Sequence, residues 1–223
     1  SALAELPERS FSVYLHVPFC HSRCGYCDFN TYTASELRGM STGDYLAAVL
    51  QEITLAARVL GSEAPEVTTV FVGGGTPTML QAGELSRLLD AIRECFGLVC
   101  DAEITTEANP ETVTPEYLRR LREAGFTRIS LGMQSAVPHV LEVLERVHTP
   151  GRVIDAARWA HQAGFEHISL DLIFGTPGES TADWKESLEA VAAAPVDHVS
   201  AYSLIVEQGT RLAMRVRRGE VSM

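Results

Sequence analysis

The segment Phe11-Ser-Val-Tyr14-Leu-His16-Val17-Pro18-Phe19-Cys20-His21-Ser22-Arg23-Cys24-Gly25-Tyr26-Cys27 decides how the rest of the chain reads. Its first seven residues are rich in Val, Tyr and Phe and predict a β-strand over Phe11–Val17. A loop then follows with three cysteines in C-x3-C-x2-C spacing. The strand therefore delivers reactive side chains to its C-terminal end.

The same order recurs downstream. Ser41–Arg58 reads as a helix, with Tyr45, Leu46, Val49, Leu50, Ile53 and Leu55 at roughly helical spacing. Val67–Val72 reads as a strand ending in Gly73-Gly74-Gly75, and Ala82–Phe96 as a helix. Ala102–Thr106 is a strand closed by Asn109-Pro110. Thr114 then caps a helix that opens with Pro115 and stops at Gly125. Strands are predicted over Thr127–Met133, His167–Ile173 and His198–Leu204. Between them lie helices over Pro138–Val147, Gly151–Ala163 and Thr181–Ala194. Six βα units with right-handed crossovers give an α/β protein with a parallel sheet and helices outside it.

Polar residues choose between the two architectures such a sheet allows. Cysteines follow the first strand, glycines the second, Glu107 and Asn109 the third, Gln134 and Ser135 the fourth, and Asp171 lies in the fifth. A barrel gathers all its βα loops over one mouth, whereas a doubly wound sheet concentrates its site at one switch point. A full barrel has eight units. The expectation is therefore a partial, open-sided (β/α)6 barrel.

Composition fits one such domain. The chain has 223 residues, 46% apolar and 21% charged, with a net charge of −11. That charge argues against nucleic acid as a main partner. No apolar run is long enough for a membrane helix, so membrane association is not indicated. The first ten residues lack the basic and apolar regions of a secretory signal, and a cytoplasmic protein is expected.

Five cysteines stand at 20, 24, 27, 95 and 100, three of them clustered. Clustering without a secretory signal reads as a metal or redox site rather than a disulfide framework. Three thiolates suit an iron–sulfur cluster with one open iron, since clusters normally take four. A structural zinc site with His21 as fourth ligand is the alternative. Cys95 and Cys100 read as small buried hydrophobes.

Further candidates lie at the strand ends. The glycine turn before Thr76 lets a ligand approach the backbone. Glu107 and Gln134 end strands, and Asp171 interrupts an apolar one, where a buried carboxylate needs a partner. Tyr14 and His16 face the same side of the first strand. The tail Arg211-Leu-Ala-Met-Arg215-Val-Arg217-Arg218 is locally basic and reads as a solvated helix face, with binding of a ligand's carboxylates as the alternative.

Taken in order, YLHVPFC…CGYC, GGGTPT, TEANP, GMQS and DLIFGTPGE resemble the radical S-adenosylmethionine (SAM) superfamily. Within it they resemble the oxygen-independent coproporphyrinogen III oxidases and their heme-chaperone relatives, from Tyr14 to about Leu204. The resemblance implies a [4Fe-4S] cluster on Cys20, Cys24 and Cys27, with SAM chelating the remaining iron. It places Tyr14, Tyr26, Gly74, Gly75, Thr76, Glu107, Gln134, Arg146 and Asp171 around SAM. The oxidases have a further cysteine where this chain has Phe29, which resembles the chaperone branch. The implied function is heme binding and transfer to an acceptor protein. The alternative is decarboxylation of two coproporphyrinogen propionates by a 5′-deoxyadenosyl radical. The whole of 1–223 is expected to form one radical SAM core. Residues 1–10 would be an N-terminal extension, and 206–223 would begin the connection to a C-terminal domain beyond this chain.

Overall fold

A computed structural model describes residues 10–222 except 38, 40, 63, 147, 148 and 150. Most of the expected N-terminal extension and the Val147 end of one predicted helix therefore lie outside the described residues. In chain order the elements are β1 (Phe11–Val17), the two-residue strands β2 (Phe19–Cys20) and β3 (Tyr32–Thr33), α1 (Thr42–Leu60) and β4 (Val67–Gly74). Next come α2 (Ala82–Phe96), β5 (Leu98–Ala108), α3 (Pro115–Ala124), β6 (Arg128–Gln134), α4 (Pro138–Val143) and α5 (Arg152–Ala163). The chain continues through β7 (His167–Phe174), α6 (Thr181–Ala192), β8 (His198–Ser203) and α7 (Arg211–Arg217).

Six strands form one parallel sheet in the order β1-β4-β5-β6-β7-β8. Each crossover moves one place in the same direction, so there is no switch point, and the winding is that of a barrel. Among the described residues β1 pairs only with β4 and β8 only with β7, which leaves the barrel open-sided. β2 and β3 make a small parallel pair of their own, which periodicity did not indicate.

Local chemistry sets the helix ends. Ser41 and Asp44 form a capping box on α1, and Ser180 and Asp183 form another on α6. The Thr114 hydroxyl accepts from the Tyr117 amide, Pro115 opens α3, and Gly125 closes it at φ +107°.

Each strand sorts its residues by the two-residue period of the pleat. In β6, Ile129, Leu131 and Met133 are buried, and in β7 so are Ile168, Leu170 and Leu172. These pack with Leu88, Leu118, Leu121, Ala156 and Ala160 of the surrounding helices in one core. The alternate residues Ser130, Gln134 and Ser169 are buried too, but polar. The sheet therefore has an apolar face under the helices and a polar concave face.

Candidate functional site

The cysteine loop is built as a continuation of the sheet edge. The Gly75 amide donates to Val17 O at 2.8 Å, and the Thr76 amide donates to Phe19 O at 2.7 Å. A Cβ on Gly75 would stand 2.6 Å from Phe19 O and 2.9 Å from Cys20 Sγ, so only glycine lets the loop lie this close. The Tyr32 amide donates to Pro18 O at 2.7 Å, and the Arg23 guanidinium donates to Thr31 O. Cys20, Cys24 and Cys27 are free thiols, each half-buried. Burial pushes the Cys20 and Cys27 thiols up from their ordinary values. The Thr76 hydroxyl reaches Cys20 Sγ at 3.9 Å, and Arg146 reaches Cys24 Sγ at 3.4 Å.

Opposite the loop stand two carboxylates. Glu107 accepts from the Gly74 amide at 3.0 Å, and Asp171 accepts from the Ser130 hydroxyl at 2.9 and 3.1 Å. Burial raises both above the ordinary carboxylate value, partly offset by those same hydrogen bonds. Such carboxylates favour a ligand that brings positive charge or hydroxyl donors.

Between them β6 is irregular. Its register against β7 shifts between Gly132 and Gln134. Gln134 has φ +66°, rare for a residue with a side chain, and is buried. Its Oε1 has no hydrogen-bond partner within the chain. A Cβ on Gly132 would stand 2.9 Å from the Arg146 guanidinium and 3.0 Å from Gln134 Nε2. Gly132 thus makes room for both groups, and Arg146 donates to Gly132 O at 3.2 Å. Burial works to lower the Arg146 pKa, but Cys24 and Tyr26 beside it leave it raised.

These groups line one cavity of about 380 Å³. It contains all three clustered cysteines with Tyr26, Gly74, Gly75, Thr76, Glu107, Gln134, Arg146 and Asp171. Tyr14 does not line it. That ring is 57% exposed, stacks on Phe71, and donates its hydroxyl to His16 Nδ1 at 2.9 Å. His16 Nε2 then donates to Asn30 O at 2.9 Å, which ties β1 to the end of the cysteine loop. The wall also includes Ser130, Gly132, Tyr202 and Ile205, which the sequence reading missed. For Tyr202 and Ile205 no local motif existed; their position at and just past the C-terminal end of the last strand was the available signal. Burial pushes Tyr202 up to about 12, with Asp171 and Glu107 adding to it.

The donor set fits a cluster better than a single ion. Among the described residues no three His, Cys, Asp or Glu side chains converge as a lone metal ion requires. A cubane places each thiolate on a different iron and needs them further apart. His21 is exposed and absent from the cavity wall. The unsatisfied Gln134 Oε1 and the raised carboxylates fit a polar, cationic small molecule beside the thiols.

The sequence matches the profile of the Radical SAM superfamily over residues 14–191. The chain belongs to the radical SAM superfamily. It is 56% identical over 220 residues to the heme chaperone HemW of Mycobacterium tuberculosis, covering 99% of this chain and 56% of that protein. It is 37% identical over 213 residues to the heme chaperone HemW of Bacillus subtilis, covering 95% and 55%. The chain thus spans about half the length of the curated relatives it matches. Among solved structures it is similar to coproporphyrinogen III oxidase HemN from Escherichia coli, a radical SAM enzyme. The TM-score is 0.88 at 30% identity, over all of this chain and 50% of that one. The radical SAM methyltransferase TsrM from Kitasatospora setae shares the fold, with TM-score 0.69 at 17% identity over 98% and 41%. Membership implies a [4Fe-4S] cluster and SAM. Among the described residues no helix is long and apolar enough to cross a membrane.

Proposed function

We propose that this chain is the cluster- and SAM-binding core of a heme chaperone. The observation that carries the reading is one cavity in which three thiols face two half-buried carboxylates and an unsatisfied glutamine. In the proposal Cys20, Cys24 and Cys27 hold the [4Fe-4S] cluster, and one iron stays open for SAM. When bound, the cluster supplies reducing electrons to the SAM sulfonium.

The chain's own groups suit the rest of SAM. Glu107 and Asp171 offer charge-assisted hydrogen bonds to an amine and to hydroxyls. Gln134 Oε1 offers an acceptor, and Gly74, Gly75 and Thr76 offer backbone without bulk. Tyr26 and Arg146 complete the wall beside Cys24. Tyr14 acts at one remove, by holding His16 against the cysteine loop. We assign 1–223 to a single core domain, with 206–223 as the start of the connection to a further domain, in a cytoplasmic protein.

The heme part rests on the identity to the curated heme chaperones and on Phe29. That ring lines the cavity and is 63% exposed, so it offers an apolar face to a flat macrocycle. Heme is the proposed cargo and a heme-accepting protein the proposed partner. The structural likeness to the oxidase HemN favours a second reading, decarboxylation of coproporphyrinogen. The two separate in one anaerobic experiment on the full-length, cluster-loaded protein. Heme and coproporphyrinogen III are offered separately, the latter with SAM and a strong reductant. Stable heme binding without porphyrinogen turnover supports the chaperone. Multiple turnovers to protoporphyrinogen would replace it with the enzyme.

A further inference from the structure

Three segments distant in sequence meet on one carboxylate beside the site. Glu145 sits just past α4 at φ +52°, a left-handed conformation that surrounding structure must enforce on a residue with a side chain. Its carboxylate lies 2.8 Å from Arg211 and 3.6 Å from Arg215, both on α7. Each arginine makes a second bond. Arg211 donates to Arg23 O in the cysteine loop, and Arg215 donates to Val143 O at 3.2 Å. Backbone bonds run in parallel: the Leu212 amide donates to Gly25 O at 2.8 Å, and the Gly25 amide donates to Leu144 O at 3.0 Å. A Cβ on Gly25 would stand 3.0 Å from Glu145 Cδ, so the loop is pressed against the clamp. Leu212 is fully buried, which anchors α7.

We infer that Glu145 is a positioning residue that fixes Cys24 and Arg146 relative to one another. Arg146 follows it directly and reaches Cys24 Sγ at 3.4 Å. The Glu145 carboxylate sets the turn that aims Arg146, and through α7 it also holds the two residues on either side of Cys24. The basic tail thereby acquires a purpose. Arg211 and Arg215 are engaged by Glu145 and by backbone carbonyls rather than presented to a propionate. The inference rests on the reading above only in taking Cys24 as a cluster ligand.

The test uses the full-length protein, first free of cluster. Glu145→Gly removes the carboxylate while easing the left-handed backbone. The double variant Arg211→Gln/Arg215→Gln leaves Glu145 in place and decides the matter should the first fail to fold. Amide hydrogen exchange is read at Gly25 and Leu212, with Val70 and Leu131 in the sheet as internal references. Loss of the paired charges should speed exchange at Gly25 and Leu212 by about five-fold, with the sheet unchanged. Loaded with cluster, both variants should keep their iron but show an altered electron paramagnetic resonance spectrum of the reduced cluster. A merely structural contact would not move that signature. Unchanged exchange at both amides, or an unaltered spectrum, would overturn the inference. Failure of the unaltered protein to take up a cluster would instead overturn the assignment of Cys24, and the exchange result would still decide the clamp.

Discussion

The two faces of the sheet obey opposite rules. Under the helices, Ile129, Leu131, Ile168 and Leu170 are apolar, buried and regular. On the concave face, Ser130, Gln134, Ser169 and Asp171 occupy the alternate positions of the same two strands. There the backbone shifts register, one residue sits in left-handed conformation, and one buried oxygen lacks a partner. One face removes apolar area from water and stabilises the fold. The other holds carboxylates away from water without full compensation, which costs stability. Neighbouring residues on one strand thus serve different ends, and substitutions should separate them.

The sharpest separation lies at the cysteines. Cys24→Ala should abolish cluster assembly, where the unaltered protein takes about four irons per chain on anaerobic reconstitution. Its unfolding midpoint without cluster should barely move, since Cys24 belongs to a loop. Full iron content in this variant would remove the metal assignment. Leu170→Ala should do the reverse. It empties a buried position under the helices and should cost about 2–5 kcal/mol in denaturant unfolding while leaving the cysteine loop able to bind iron. A loss under 1 kcal/mol would mean that the helix-facing layer is not what holds the sheet.

The same division explains what the sequence made legible. All six main strands and the helices between them were readable because caps, glycine stops and apolar spacing are local. Ser41, Thr114 and Gly125 each mark an end by chemistry within a few residues. The three cysteines were readable for the same reason. The clamp on Glu145 was not, because its partners Arg211 and Arg215 lie in another part of the chain and read as a solvated face. Gly132 looked unremarkable until Arg146 was seen packed against it. Strand bounds drifted at both ends of the sheet: β4 runs on through Gly74 at the mouth, and β5 starts at Leu98 rather than Ala102 at the opposite end. Gly73 and Gly74 pair with His16 and Val17, and Leu98 pairs with Val67, so contact with a neighbouring strand sets these ends.

A subtler separation concerns Asp171. Asp171→Asn keeps the size of the side chain and can still accept from Ser130. In cluster-loaded protein it should weaken SAM binding by about one to two decades, the worth of one charge-assisted hydrogen bond at roughly 1.5–3 kcal/mol. Titration calorimetry would read this directly. Unchanged affinity would return Asp171 to a structural role and leave the concave face polar without a ligand to account for it.

The smallest expected effect is a slope with pH, and its sign tests the comparison itself. Burial raises the folded-state pKa of Asp171 and Glu107 above the ordinary value. A group raised in this way contributes stability below its unfolded pKa, and that contribution is lost as pH rises through the folded pKa. Capped carboxylates such as Asp44 and Asp183 are held low by their serine partners and give the opposite slope. They are the same in wild type and variant, so the difference between the two proteins cancels them. Without cluster or SAM, Asp171→Asn and Glu107→Gln should therefore be more stable than the unaltered chain at neutral pH. That advantage should shrink as pH falls through the folded pKa and level off below about 4, where the unfolded carboxyl is protonated too. Denaturant midpoints measured across this range would show it. A constant difference, or one that grows toward low pH, would mean that the carboxylates are compensated in the empty site, and the concave face would then carry no cost for a ligand to relieve.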